Sequence, residues 1–161
     1  MDLALFGISA LMSLLSAIAL ATLYWPRLRS MDRAEALILL ITPHLFLRFI
    51  GLSFLVPGVV SPSLPAAFAI PAGYGDLGAG LLAVVAITAL GKHKSWAIPA
   101  VWLFNVWGAA DLLVALFQGE HAHIVPGSLG AAFYIPTAIV PPLLVTHALI
   151  FRMLLREPSY A

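Results

Sequence analysis

The chain has 161 residues, 62% of them hydrophobic and 9% charged, with mean hydropathy +1.04 and a formal charge of +1. That composition lies outside the range of soluble globular domains and would expose more apolar area than a monomer tolerates in water. The lack of cysteine excludes disulfides, thiol catalysis and iron–sulfur ligation, and no nucleic-acid partner is expected.

About 20 mostly apolar residues are needed for a helix to cross a bilayer, and five stretches qualify: roughly 3–24, 34–56, 64–90, 96–117 and 129–151. They use most of the chain, so the expectation is all-α: one transmembrane domain over residues 1–161, a five-helix bundle with sequential helices packed as antiparallel neighbours. A cleaved leader is the competing reading of the first stretch, because Ala19-Leu20-Ala21 resembles a cleavage site. However, its start carries Asp2 and no base, whereas a leader needs a positive start. Pro43 precedes His44 in the second stretch. In the third, Pro71 precedes Gly73-Tyr74-Gly75-Asp76; a proline in a transmembrane helix commonly only kinks it, and Pro71 is the first candidate for an exception. Pro136 and the Pro141-Pro142 pair interrupt the fifth.

Seven of the eight bases fall between or after these stretches. Arg27, Arg29 and Arg33 follow the first, Lys92 and Lys94 the third, Arg152 and Arg156 the fifth. The segments around 57–63 and 118–128 hold none. By the positive-inside rule the basic side is cytoplasmic, so the N-terminus is expected outside, the C-terminus in the cytoplasm, and the protein in a bacterial inner membrane as a multi-pass chain.

The eighth base, Arg48, lies inside an apolar stretch. An ionisable residue at membrane depth costs several kcal/mol, faces the interior and has a partner. At about 1.5 Å per residue from the outer ends, Arg48 comes out about 12 Å deep, Asp111 about 9 Å and Asp76 about 18 Å. His44 and Asn105 fall near the midplane, and His147 close to the cytoplasmic surface, apart from the rest. His44 and Arg48 share a face at i and i+4. Asn105, Gly108 and Asp111 lie within an arc of about 120°. The glycines Gly73, Gly75, Gly78 and Gly80 permit close helix approach.

These features predict a three-helix polar cluster centred on Arg48. One ion pair could serve only to orient helices, with little gain in stability. The second carboxylate goes beyond that: it takes up a proton, binds a cation or pairs with protonated His44. A bis-histidine haem is disfavoured because His44 and His147 differ in predicted depth. Glu120, His121 and His123 near the outer surface fall short of a zinc ligand set.

Gly73-Tyr74-Gly75-Asp76 resembles the potassium-channel filter, whose carbonyls coordinate the ion. Pro71-Ala72 stands where the filter has threonine and valine. The stretch from Arg48 to about Asp111 resembles small multi-pass bacterial membrane proteins of the DoxX-like kind: Arg48 and Gly51 open a helix, Leu55 and Gly58 follow, then a proline-bearing loop and an acidic residue heading a glycine- and leucine-rich helix (Asp76 to Leu82). Members usually carry glutamate at that acidic position and have four helices. The resemblance implies a four-helix core and, in some members, association with quinone-linked redox enzymes.

The expected function is binding or movement of a small molecule in an outer-half pocket, linked to a proton. Arg48 would hold an anionic or carbonyl group, and Asp76 or Asp111 would titrate. His44 and Asn105 flank them, and Tyr74, Trp102 and Trp107 would form apolar walls. The alternative is an accessory subunit of a membrane redox complex contacting quinone. An intramembrane enzyme ranks third, since no nucleophile–base pair or metal motif is apparent. The sequence names no cofactor, and it leaves open a homo-oligomer or a larger membrane complex.

Overall fold

The computed structural model describes residues 3–156; Asp2, weighed above against a leader, lies outside them. Helix α1 spans Leu3–Ser30. Helix α2 spans Arg33–Leu47 and tightens into a 3-10 coil over Arg48–Leu55. Helices α3 and α4 span Ala66–Gly91 and Ala97–His121. A 3-10 stretch (Pro126–Phe133) and a wide π turn (Ile135–Ile139) lead into α5, Val140–Leu154. Among the described residues, five helices are long and apolar enough to cross a membrane: Leu3–Ser30, Arg33–Leu55, Ala66–Gly91, Ala97–His121 and Ile135–Leu154.

Helices α2 to α5 close a four-membered ring, and α1 lies outside it. The close α3 contacts follow from its small residues: Ala79, Ala83 and Ala86 have no exposure and recur at helical spacing, so neighbouring backbones approach closely. At the start of α2, Asp32 Oδ2 accepts from the amides of Ala34 and Glu35, and this cap stabilises the first turn. Arg33 Nη2 donates to the Leu154 carbonyl at 2.9 Å, joining that turn to the end of α5. Trp25 lies beneath Arg152, whose guanidinium is 4.0 Å from the ring centroid, with Arg156 at 5.5 Å.

Two sequence expectations are corrected and one open question is answered. Helix α1 does not stop near residue 24. It runs through Pro26 and carries Arg27 and Arg29 in its last turn, where cations complement the helix dipole. Nor does it pack chiefly on its sequential neighbour: it lies along α5 and the π turn, with little contact to α2. Finally, Pro71 sits within an unbroken α3, and the irregular helix is the fifth.

The fifth helix shows why α1 docks there. Pro142 has no amide proton for the Ala138 carbonyl four residues back. Ser13 Oγ of α1 donates to that carbonyl at 3.2 Å, supplying the partner that an apolar surrounding would withhold.

Two apolar clusters fill the ring. One, toward the basic segments, contains Leu37, Ile41, Ala83, Val101, Phe104 and Ile150. The other, toward the opposite end, contains Phe54, Phe68, Leu112, Leu129, Ile135 and Leu143. Each of the four ring helices passes through a polar residue between them.

Candidate functional site

That polar layer is built around Arg48, which has no exposure. Arginine carries five donors in a planar fork, and four of them are used here. Nη1 donates to Asp76 Oδ1 and, at 2.9 Å, to Asp111 Oδ2. Nη2 donates to the Gly108 carbonyl and faces His147 Nε2 at 3.3 Å. Only Nε is left without a partner.

The hydrogen bonds fix the proton positions on the histidines. Asn105 Nδ2 donates to the His147 carbonyl at 3.2 Å, so Asn105 Oδ1 accepts from His147 Nδ1 at 2.7 Å. His147 Nε2 is then the bare nitrogen, free to accept from Arg48. The Thr146 hydroxyl gives its one proton to the Leu143 carbonyl at 2.8 Å, so it accepts from His44 Nε2 at 2.9 Å. His44 Nδ1 is buried with no partner. His147 is therefore neutral, and the layer's fixed cation is one guanidinium against two carboxylates.

Glycines make room for these charges in a cycle. A Cβ on Gly51 would collide with the Asp76 carboxylate, and one on Gly75 with Asp111 Oδ1. A Cβ on Gly108 would lie 2.8 Å from Arg48 Nη2 and 2.6 Å from His147 Cε1. The second helix thus seats a side chain of α3, α3 seats one of α4, and α4 seats one of the second helix. The space at Gly108 is taken by the protein's own side chains.

The structure brings together His44, Arg48, Asp76, Asn105 and Asp111, as the spacing predicts. It also adds His147, which the sequence reading set apart near one surface. The error came from counting a steady helical rise from residue 129. Residues Pro126–Phe133 include Gly130 at φ 54°, outside helical geometry, so that segment does not carry the chain steadily inward. The rings of His44 and His147 stand 4.4 Å apart at 56°. They share a level after all, and they pack on each other with no gap for a porphyrin plane.

A cavity of about 310 Å³ lies between this layer and the end of the bundle away from the basic segments. Asp76 and Asp111 line it, as do Phe6, Phe54, Phe68 and Leu112, with Glu120 also at its edge. Arg48 does not line it, which removes the expected role of that residue in holding an anionic or carbonyl group. Tyr74, Trp102 and Trp107 do not form its walls either. Tyr74 and Trp107 are 60% and 50% exposed on the outer surface. Tyr74 is two residues from Asp76 and so about 200° around α3. The Trp107 indole crosses outward over Gly78 to within 3.4 Å of the Gly75 carbonyl. Trp102 packs on Phe151 beside the basic-end cluster. The filter-like Gly73-Tyr74-Gly75-Asp76 is ordinary helix within α3, so its carbonyls do not converge on an ion.

Fold and site together define an all-α protein of membrane-spanning proportions, with a buried charged layer beneath an apolar cavity. The chain belongs to the family described as Domain of unknown function (DUF8737), whose model matches residues 5–155. No curated protein and no solved structure matches it.

Proposed function

We propose that this protein lies in a bacterial inner membrane, N-terminus outside and C-terminus in the cytoplasm, and binds or moves a small molecule through its cavity in a proton-linked step. The orientation rests on the bases, since Arg27, Arg29, Arg33, Lys92, Lys94, Arg152 and Arg156 gather at one end and mark it cytoplasmic. Insertion rests on the apolar surface: Leu5, Ile8, Leu11, Leu15 and Leu23 all stand at least half exposed along α1, more than water tolerates on a monomer. The observation that carries the functional reading is the end of the apolar cavity on Asp76 and Asp111, whose shared cation is wholly buried. With one positive and two negative groups, the layer is balanced by one proton or one cation, and exchange of the two links binding to pH. The redox-subunit alternative fits less well. A quinone brings carbonyl acceptors, and the two carboxylates lining the cavity are acceptors as well.

The absence of cysteine allows a clean accessibility test in intact cells with a small membrane-impermeant thiol reagent. Ala115→Cys, in the cavity wall, is expected to react from outside. Lys94→Cys, between α3 and α4, should react only after permeabilisation. Labelling in the reverse order would overturn the orientation, and an Ala115→Cys thiol that stays inert under both conditions would remove the open cavity.

A further inference from the structure

We infer that the ligand is an amphiphile with an apolar body and a single cationic, nitrogen-type head, held by Asp76 and Asp111 in exchange for a proton. This rests on the cavity reading above and names the chemistry its occupant must have.

The walls decide the body. Phe6, Phe54, Phe68, Leu112, Leu129 and Ile135 enclose about 310 Å³ with few polar groups, a volume in the range of small-molecule sites. A highly polar solute would lose its hydration there without replacement.

The carboxylates decide the head. Each gives one oxygen to Arg48, Asp76 through Oδ1 and Asp111 through Oδ2. The other two, Asp76 Oδ2 and Asp111 Oδ1, rest against Gly51 and Gly75. Among the described residues neither receives an N–H or O–H from the protein. Asp76 is 6% exposed and the Asp111 side chain 14%, so these lone pairs, unfilled by the protein, have limited access to solvent. An ammonium group supplies both the donors and the missing positive charge. An anionic head would meet two like charges, with Arg48 out of its reach. A neutral hydroxyl head would donate one hydrogen bond and leave the charge imbalance in place.

The approach favours the same sign. Glu120 borders the cavity, whereas all described Lys and Arg other than Arg48 lie at the opposite end of the bundle. Field lines from Glu120 and the two aspartates therefore attract cations toward this opening. When the site is empty, a proton fills the role of the head group. Ammonium arrival and proton departure leave the charge of the layer unchanged.

The test uses Ala115→Cys in its native membrane, with decylamine, decanol and decanoate as protectants against the thiol reagent. Ser63→Cys in the neighbouring loop corrects for general effects on the bilayer. Decylamine is expected to protect the cavity-wall thiol at a concentration about ten-fold below decanol, a difference of about 1.4 kcal/mol, with decanoate weakest. Its amine, like that of lysine, stays protonated from pH 5 to pH 8. Its protection should strengthen with rising pH, by up to about ten-fold per unit for one displaced proton, and level off once the empty site has lost that proton. Asp111→Asn should bring decylamine and decanol close together. If that variant does not fold, the pH dependence in the parent protein still decides. Protection by none of the three would overturn the small-molecule reading itself. Protection by decanol or decanoate equal to that by decylamine, or a pH-independent amine, would sink this inference alone.

Discussion

The two apolar halves on either side of the charged layer are built differently. In the half toward the basic segments, eight cluster members have no exposure at all, among them Ala36, Leu37, Ala83, Ala86 and Phe104. In the other half no member reaches zero, and the bulky rings of Phe54 and Phe68 meet edge to face beside Ala69 and Ala72. Small residues let helices close completely, while large rings hold them apart and leave the cavity. The layer is therefore sealed on one side and approachable from the other. A site that exchanges a ligand with one compartment needs that asymmetry.

Removing the boundary should have the largest effect. Arg48→Met would leave two buried carboxylates facing each other, at a cost of about 3–5 kcal/mol, seen as lost thermal stability in detergent. Adding Asp76→Asn and Asp111→Asn should restore most of it, because neutral layers carry no uncompensated charge. A tolerated Arg48→Met would mean that the two carboxylates are relieved by protons or by water entering from the cavity side. The two halves can next be compared directly. Leu37→Ala in the closed half should cost about 2–5 kcal/mol. Leu112→Ala, at a side chain that is buried but borders the cavity, should cost less than Leu37→Ala, since the atoms removed have packing partners on fewer sides. Equal losses would show that the halves are packed alike. The smallest effect is expected from Ser13→Ala, which removes one hydroxyl from the Ala138 carbonyl and should cost about 0.6 kcal/mol. Its readout is easier proteolytic release of α1, with the four-helix ring unchanged.

Helical periodicity was enough to group His44 with Arg48, and Asn105 with Asp111, because it depends only on positions within one regular helix. Depth was less legible, since it assumes a uniform rise along the whole element. For the fifth helix the prolines at 136, 141 and 142 were the warning, and the basic end offered the better origin. His147 lies seven residues before the end of α5, and Asn105 eight after the start of α4, which already places them level. The aromatic walls were misassigned because hydrophobicity alone does not separate a lipid-facing ring from a cavity-facing one. Angular position would have done so for Tyr74 and Trp102. Trp107 lies only about 40° around α4 from Asp111 and turns outward because Gly78 leaves space there.

The cyclic seating of charges has a consequence for assembly. Among the three helices that carry charges, the second helix and α3 already form a complete pair, since Asp76 finds both its cradle, Gly51, and its counter-ion, Arg48, on the second helix. Asp111 differs: its cradle, Gly75, is on α3 and its counter-ion, Arg48, on the second helix. Helix α4 is therefore fully accommodated only against both of the others, so it should join after the second helix and α3 have paired. The residues of the charged layer would then also set the order in which the helices come together.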